Sequence, residues 1–303
     1  MTGDKTGKQT VVLILTVLEI VAPVGLLGAI GYLWVKTGHE YRMEFITRLS
    51  MTLSVPALIF TALMKTELDP TALTTVTLAA VAAYGALTVI LWGVVKALGL
   101  ERRTYLAPLI FGNTGNVGLP LALFAFGEAG LGYAVVIFAV MMVWSFTFGI
   151  WLVSGGGSLM RVLKEPAMGA TLLGALFLWQ GWQTPLWLTN SLTLLGQIAI
   201  PMMLITLGVA VARLTPGRLQ QAVWLSLMRG GLTVAVAVAV GRFFALDPVA
   251  FAVLVVQVST PVAVTSYMLA EKYGADADAV AGLVIASTLL AVITLPITLG
   301  FLI

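Results

Sequence analysis

The chain has 303 residues, 60% of them hydrophobic and only 10% charged, with a mean hydropathy of +1.05. A soluble domain carries about a quarter charged residues, so this composition excludes a water-soluble enzyme or nucleic-acid binder and defines a polytopic membrane protein. The net charge of +3 reflects basic residues that mark cytoplasmic loops. With no cysteine, disulfides, thiolate chemistry and Cys-based metal sites are excluded.

One crossing needs roughly 20 apolar residues, and ten such stretches follow in order. They lie near residues 11–35, 43–64, 71–98, 105–126, 131–153, 166–182, 187–212, 219–241, 249–270 and 279–302. Lys5 and Lys8 precede the first stretch as in a signal peptide, but no small-residue cleavage site follows, which predicts a retained span. Glu19 stands eight residues into it, roughly 12 Å along a helix and near the bilayer midplane. A carboxylate there is costly unless paired, protonated or wet. Glu19 is therefore either a protonatable, substrate-coupled group or an acid bonded to a neighbouring helix. The single histidine, His39, falls in a polar loop and reads as solvated. Arg48, a turn inside the second span, reads as a snorkelling residue with Glu44 as its acidic partner by spacing.

The fourth span is interrupted at its middle by Phe111-Gly112-Asn113-Thr114-Gly115-Asn116-Val117-Gly118-Leu119-Pro120. Gly and Pro are the weakest helix formers, and hydrocarbon tolerates irregular backbone only where it packs in protein or lines a wet cavity. A kinked helix without a ligand needs one Gly or Pro. Three glycines, two amides and a proline point instead to a solute site on a broken span, as in secondary transporters. Gln197 in the seventh span reads as interhelical glue. In the eighth, Arg229 lies about 16 Å beyond Arg218 and cannot lose its proton. It either pairs with Glu19 or attracts an anionic substrate.

The second half repeats the first. Pro23 and Pro166 are 143 positions apart, Pro56 and Pro201 145, Gly85 and Gly230 145, Asn113 and Gln257 144, and Gly130 and Gly274 144. Arg229 corresponds to Tyr84 on the same offset. A near-constant offset predicts two five-span repeats, 11–153 and 166–303. Five is odd, so the second copy is inverted. The centre of the ninth span should mirror the break in the fourth, and there stands Gln257-Val258-Ser259-Thr260-Pro261. The predicted fold is thus an all-α membrane protein of ten helices, with broken helices 4 and 9 crossing near the midplane. Half-helix N-termini facing that centre carry partial positive charge and favour an anion.

With the N-terminus outside, ten basic residues fall on cytoplasmic loops and four on the other side. This predicts both termini outside. Neither break carries the Asp or Glu expected of a sodium/proton antiporter. The chain also lacks HExxH, GxSxG and any histidine in a span, so no enzyme machinery, metal site or cofactor is expected.

The run Asn113-Thr114-Gly115-Asn116-Val117-Gly118-Leu119-Pro120, with Ser259-Thr260-Pro261-Val262-Ala263 and a late Thr294-Leu295-Pro296, resembles the auxin efflux carrier family. That family includes plant PIN proteins and bacterial malonate or malate permease relatives, within the bile acid/arsenite/riboflavin transporter superfamily. The resemblance spans essentially the whole chain. It implies a scaffold and homodimer surface from spans 1, 2, 6 and 7, and a moving transport domain from spans 3–5 and 8–10. It also implies an elevator-like or rocking motion and organic-anion substrates, mostly carboxylates. Only about residues 154–165 stand where plant exporters have a long cytoplasmic loop, which implies a bacterial, inner-membrane permease type.

On this reading Asn113 and Asn116 hydrogen-bond the substrate, supported by Thr114, Gln257, Ser259 and Thr260. Gly112, Gly115, Gly118, Pro120 and Pro261 shape the crossover backbone, and Glu19 and Arg229 serve coupling or charge compensation. The expected partners are a small organic anion, the bilayer and a second copy of the chain. Two rivals stand beside it: a sodium-coupled symporter of the bile-acid type, and a transporter-shaped sensor or binding protein without net flux.

Overall fold

The computed structural model describes residues 22–23, 25–65, 69–154, 166–213 and 219–302; Glu19, Lys5 and Lys8 lie outside them. The described residues are helical apart from turns and one isolated bridge. In chain order the helices are α1 (Gly25–Lys36), α2 (Met43–Lys65), α3 (Pro70–Ala97), α4 (Arg102–Ile110) and α5 (Thr114–Ser154). After the midpoint come α6 (Pro166–Gln180), α7 (Leu186–Arg213), α8 (Leu219–Phe243), α9 (Pro248–Ser259), α10 (Val264–Tyr273) and α11 (Ala277–Leu302). Six of them, α2, α3, α5, α7, α8 and α11, are each long and apolar enough to cross a membrane unaided.

Local chemistry sets the ends. Asp69 and Asp247 each precede a proline, and their carboxylates accept from the amides of Thr71 (3.1 Å) and of Val249 and Ala250 (3.1 and 3.0 Å). Proline in the first turn needs no donor partner, and the Asp satisfies the amides that do. Inside α5, Gly127 adopts φ 63, ψ −155 and splits the helix into two limbs, a backbone region that is essentially glycine-only. The turn thus belongs to Gly127 and not to Gly130, which is buried within the following helical limb. Gly274 also has positive φ, so its conformational counterpart is Gly127, and the landmark pair Gly130–Gly274 does not share a backbone state.

Small residues let the helices meet closely, as packing between membrane helices requires. A Cβ on Gly208 would run into the carbonyl of Gly28, and one on Gly31 into the carbonyl of Ile205, so α1 and α7 cross backbone to backbone. Gly196 of α7 lies against Leu58, and Gly174 of α6 against Leu63. The α2 helix therefore packs between α6 and α7.

Hydrogen bonds sort the loops onto two ends. At one end Arg213 donates to the Tyr41 carbonyl (2.6 Å), Arg103 to those of Val153 and Tyr273 (3.1 and 2.9 Å), and the Asp276 amide to Thr104 Oγ1 (3.1 Å). At the other, Lys65 donates to Thr193 Oγ1 (3.0 Å) and Tyr133 to Asp247 (2.8 Å). The first end holds Lys36, Lys96 and Arg102 as well and is the basic end of the molecule.

Candidate functional site at the crossing of two broken helices

The α4 helix starts at the basic end and stops at Ile110; α9 starts at the opposite end and stops at Ser259. Between them the chain is extended and pairs antiparallel. Gly112 bridges Val262, the Asn113 amide donates to Pro261 O at 2.6 Å, and the Ala263 amide donates to Phe111 O at 3.5 Å. Gly112 is needed there because a Cβ would strike Thr260 and crowd Arg229 Nη2. The bridged residues are 150 positions apart, against 144 for Asn113 and Gln257. Asn113 accordingly sits just after its break, whereas Gln257 sits in the last turn before the other.

Stopping two helices at the centre leaves carbonyls at each C-terminal end without intrahelical partners. Arg229 of α8, 2% exposed, supplies donors to both: Nε to Leu109 O at 2.8 Å and Nη1 to Thr260 O at 2.7 Å. Its guanidinium thus lies at the negative poles of two half-helices. Neither reading of Arg229 from the sequence included these carbonyls. Tyr84 of α3, 145 positions before it, is fully buried within electrostatic reach of it.

The N-terminal ends are treated differently. Asn113 takes the N-cap position of α5 but forms no capping bond from its side chain. The first-turn amides of Thr114, Gly115 and Asn116 therefore have no capping side chain, and they mark a positive pole. Asn113 Nδ2, Thr114 Oγ1 and both carboxamide atoms of Gln257 are buried without a hydrogen-bond partner among the described residues. Gln257 leans on Gly118, whose missing Cβ leaves it room, so groups from both halves of the chain come together. Pro120 starts the regular helical limb, where it forfeits no bond. Asn116 is half-buried in the π-helical turn Thr114–Gly118, a geometry often found at functional sites.

Ser259 and Thr260 behave otherwise. Their hydroxyls donate back to their own helix, to Val255 O at 2.6 Å and Gln257 O at 2.8 Å, which removes them as donors to an anion in this conformation. Ser287 of α11, not singled out from the sequence, accepts from the Val262 amide at 3.0 Å and fixes the second break. Its only sequence signal is a hydroxyl pair, Ser287-Thr288, inside an apolar span.

Two cavities approach the crossing. A cleft of about 880 Å³ lies between α2, α7 and the limbs of α5 around Gly127, with Lys65 and Glu128 at its mouth and Leu58, Ile200 and Pro201 deeper in. It runs beside the first limb of α5, about two turns beyond Asn116. Gln197, read from the sequence as interhelical glue, is exposed and faces this cleft, with no hydrogen-bond partner among the described residues. A groove of about 540 Å³ between α8 and α11 reaches Arg229, Ser259 and Pro261. Among the described residues no His, Cys, Asp and Glu cluster could hold a metal ion.

Discontinuous helices crossing at a buried polar centre are the construction of secondary transporters. A family profile described as "Membrane transport protein" matches residues 16–160 and 150–299, and the chain belongs to this family, that of the auxin efflux carriers. A protein of Methanothermobacter thermautotrophicus named "Uncharacterized transporter" is 27% identical over 300 residues, covering 92% of this chain and 96% of the relative. A protein of Rhizobium meliloti named "Putative malonate transporter" is 24% identical over 276 residues, covering 83% and 84%.

Proposed function

We propose that this protein is a secondary transporter that binds a small organic anion, a mono- or dicarboxylate, at the crossing of α4–α5 with α9–α10. The observation that carries the reading is the unequal treatment of the four half-helix ends. Arg229 donates to one carbonyl at each C-terminal end, while the N-terminal end of α5 has no capping side chain. Beside it stand Asn113, Thr114 and Gln257, which like Arg229 at Nη2 have buried polar atoms without a partner among the described residues. A carboxylate supplies the acceptors these donors lack. The name of the Rhizobium relative points to the same substrate class.

In this reading the chain makes ten crossings as two inverted repeats, 11–153 and 166–303. The helices α1, α2, α6 and α7 form a scaffold and homodimer surface, the remainder moves as a transport domain, and the 880 Å³ cleft is the path between them. Both termini lie outside a bacterial inner membrane. Asn116, half-buried on the turn nearest α7, contacts the substrate with Asn113.

The sodium-coupled rival needs carbonyls at half-helix C-terminal ends to coordinate the cation. Here one carbonyl at each end, Leu109 O and Thr260 O, already accepts from a guanidinium that stays charged at any physiological pH, and a fixed positive charge there disfavours a coupling sodium ion. The test is counterflow of labelled malonate and related acids in proteoliposomes. Exchange is expected without sodium and lost in Asn116→Asp, which puts a negative charge at the anion site. Strict sodium dependence would instead favour the symporter. Binding without any counterflow would favour the sensor.

A further inference from the structure

We propose that the basic end carries a binding site for the headgroup of an anionic phospholipid, independent of the transport site. A cavity of about 510 Å³ opens where α2 begins and α7 ends, lined by Tyr41, Arg42, Glu44, Phe45, Arg48 and Arg213. Both helices are long and apolar enough to cross a membrane and both terminate here, which sets the cavity at headgroup depth. Its floor is fixed: Tyr41 Oη shares a 2.7 Å hydrogen bond with Thr206 Oγ1, and Arg213 Nη2 holds the Tyr41 carbonyl at 2.6 Å.

The charges are unbalanced. Arg42 is matched by Glu40 at 3.3 Å. Arg48 has no hydrogen-bond or ion-pair partner among the described residues, and the pairing with Glu44 suggested by its spacing is not formed. Arg48 and Arg213 thus face the cavity against the single carboxylate of Glu44, on opposite helices, as a phosphodiester clamp requires. From the cavity wall downward, Phe45, Leu49 and Leu53 stand 60%, 39% and 48% exposed at four-residue steps along α2. They form an apolar track down the same helix, the shape of an acyl chain hanging from a bound headgroup. Free phosphate would use the arginines and not the track. Basic recesses between helices at a membrane surface recognise anionic lipids in this way.

The test uses the purified full chain in mild detergent. Binding of phosphatidylglycerol, phosphatidylcholine and inorganic phosphate is compared by native mass spectrometry and thermal shift. Phosphatidylglycerol is expected to bind and stabilise, and the other two to do neither. Each arginine removed should weaken lipid binding by about fivefold, in Arg48→Gln alone and further in Arg48→Gln with Arg213→Gln. Should the double variant fail to fold, Arg48→Gln still decides, because its exposed, unpartnered side chain holds nothing together. Equal binding of phosphatidylcholine, equal stabilisation by inorganic phosphate, or unchanged phosphatidylglycerol affinity in Arg48→Gln would overturn the site.

Discussion

Thr114 buries a hydroxyl that has no partner among the described residues, on the turn where α5 begins. An unsatisfied buried hydroxyl costs about 1–3 kcal/mol, and an apolar group of the same shape avoids that cost. Thr114→Val should therefore leave the melting temperature of the substrate-free protein unchanged or higher. The same change should weaken carboxylate binding by about tenfold, through a lost hydrogen bond to a charged ligand. Calorimetric titration beside a melting curve separates the two, and equal affinity in the variant would remove Thr114 from the site. Asn113, Thr114 and Gln257 could be picked out from the sequence because polar side chains inside an apolar run need a reason to be there. The work of Arg229 could not. Its partners are main-chain carbonyls 120 and 31 positions away, and nothing in a residue string marks which carbonyl a helix end will orphan. For Ser259 and Thr260 the sequence showed hydroxyls but not that their own helix would absorb the protons.

At the scale of helices, the close crossing of α1 and α7 makes an asymmetric prediction. Gly28 and Gly208 face each other, yet a Cβ added to Gly28 meets nothing within 4 Å, while one on Gly208 meets the Gly28 carbonyl. Gly208→Ala should destabilise by about 1–3 kcal/mol, the usual cost of overpacking, and Gly28→Ala should be close to neutral. Melting both variants in one detergent checks this; equal losses would mean the two helices do not cross as described. Composition alone located both helix breaks, since Gly, Asn and Pro at such density leave no regular alternative. It placed a break between Gly127 and Gly130 but could not say which of the two glycines makes the turn, because only φ and ψ decide between them. It also missed the six-position difference in register at the crossing, which changes Gln257 from a mirror of Asn113 into a residue of the preceding turn.

For the whole molecule, hydropathy counted ten apolar runs, while six helices among the described residues are long enough to cross alone. The difference lies partly in the breaks, which cut two runs into limbs such as α4, α9 and α10 of 9, 12 and 10 residues. At 1.5 Å per residue, each is too short to span about 30 Å of hydrocarbon. Orientation can be tested on a clean background, since the chain has no native cysteine. Leu98 and Ala129 are both exposed, at the basic end and the opposite end. Leu98→Cys should react with an impermeant maleimide only from the cytoplasm, and Ala129→Cys only from outside. Reaction of both from one side would mean that the broken helix between them does not cross, and the odd span count on which the inversion rests would fail.

The antiparallel pairing of Gly112 with Val262 also gives the protein a built-in clock. The Asn113 amide proton is donated across the crossing, from one broken helix to the backbone of the other. Its exchange with deuterium therefore requires the two halves to part at that point. If the crossing travels as one body during turnover, this proton should exchange slowly whether or not substrate is cycling, at a rate set by rare opening alone. If the halves slide past each other, substrate should accelerate it. Deuterium uptake in the peptide holding Asn113 thus distinguishes a carried site from a sheared one without a mutation.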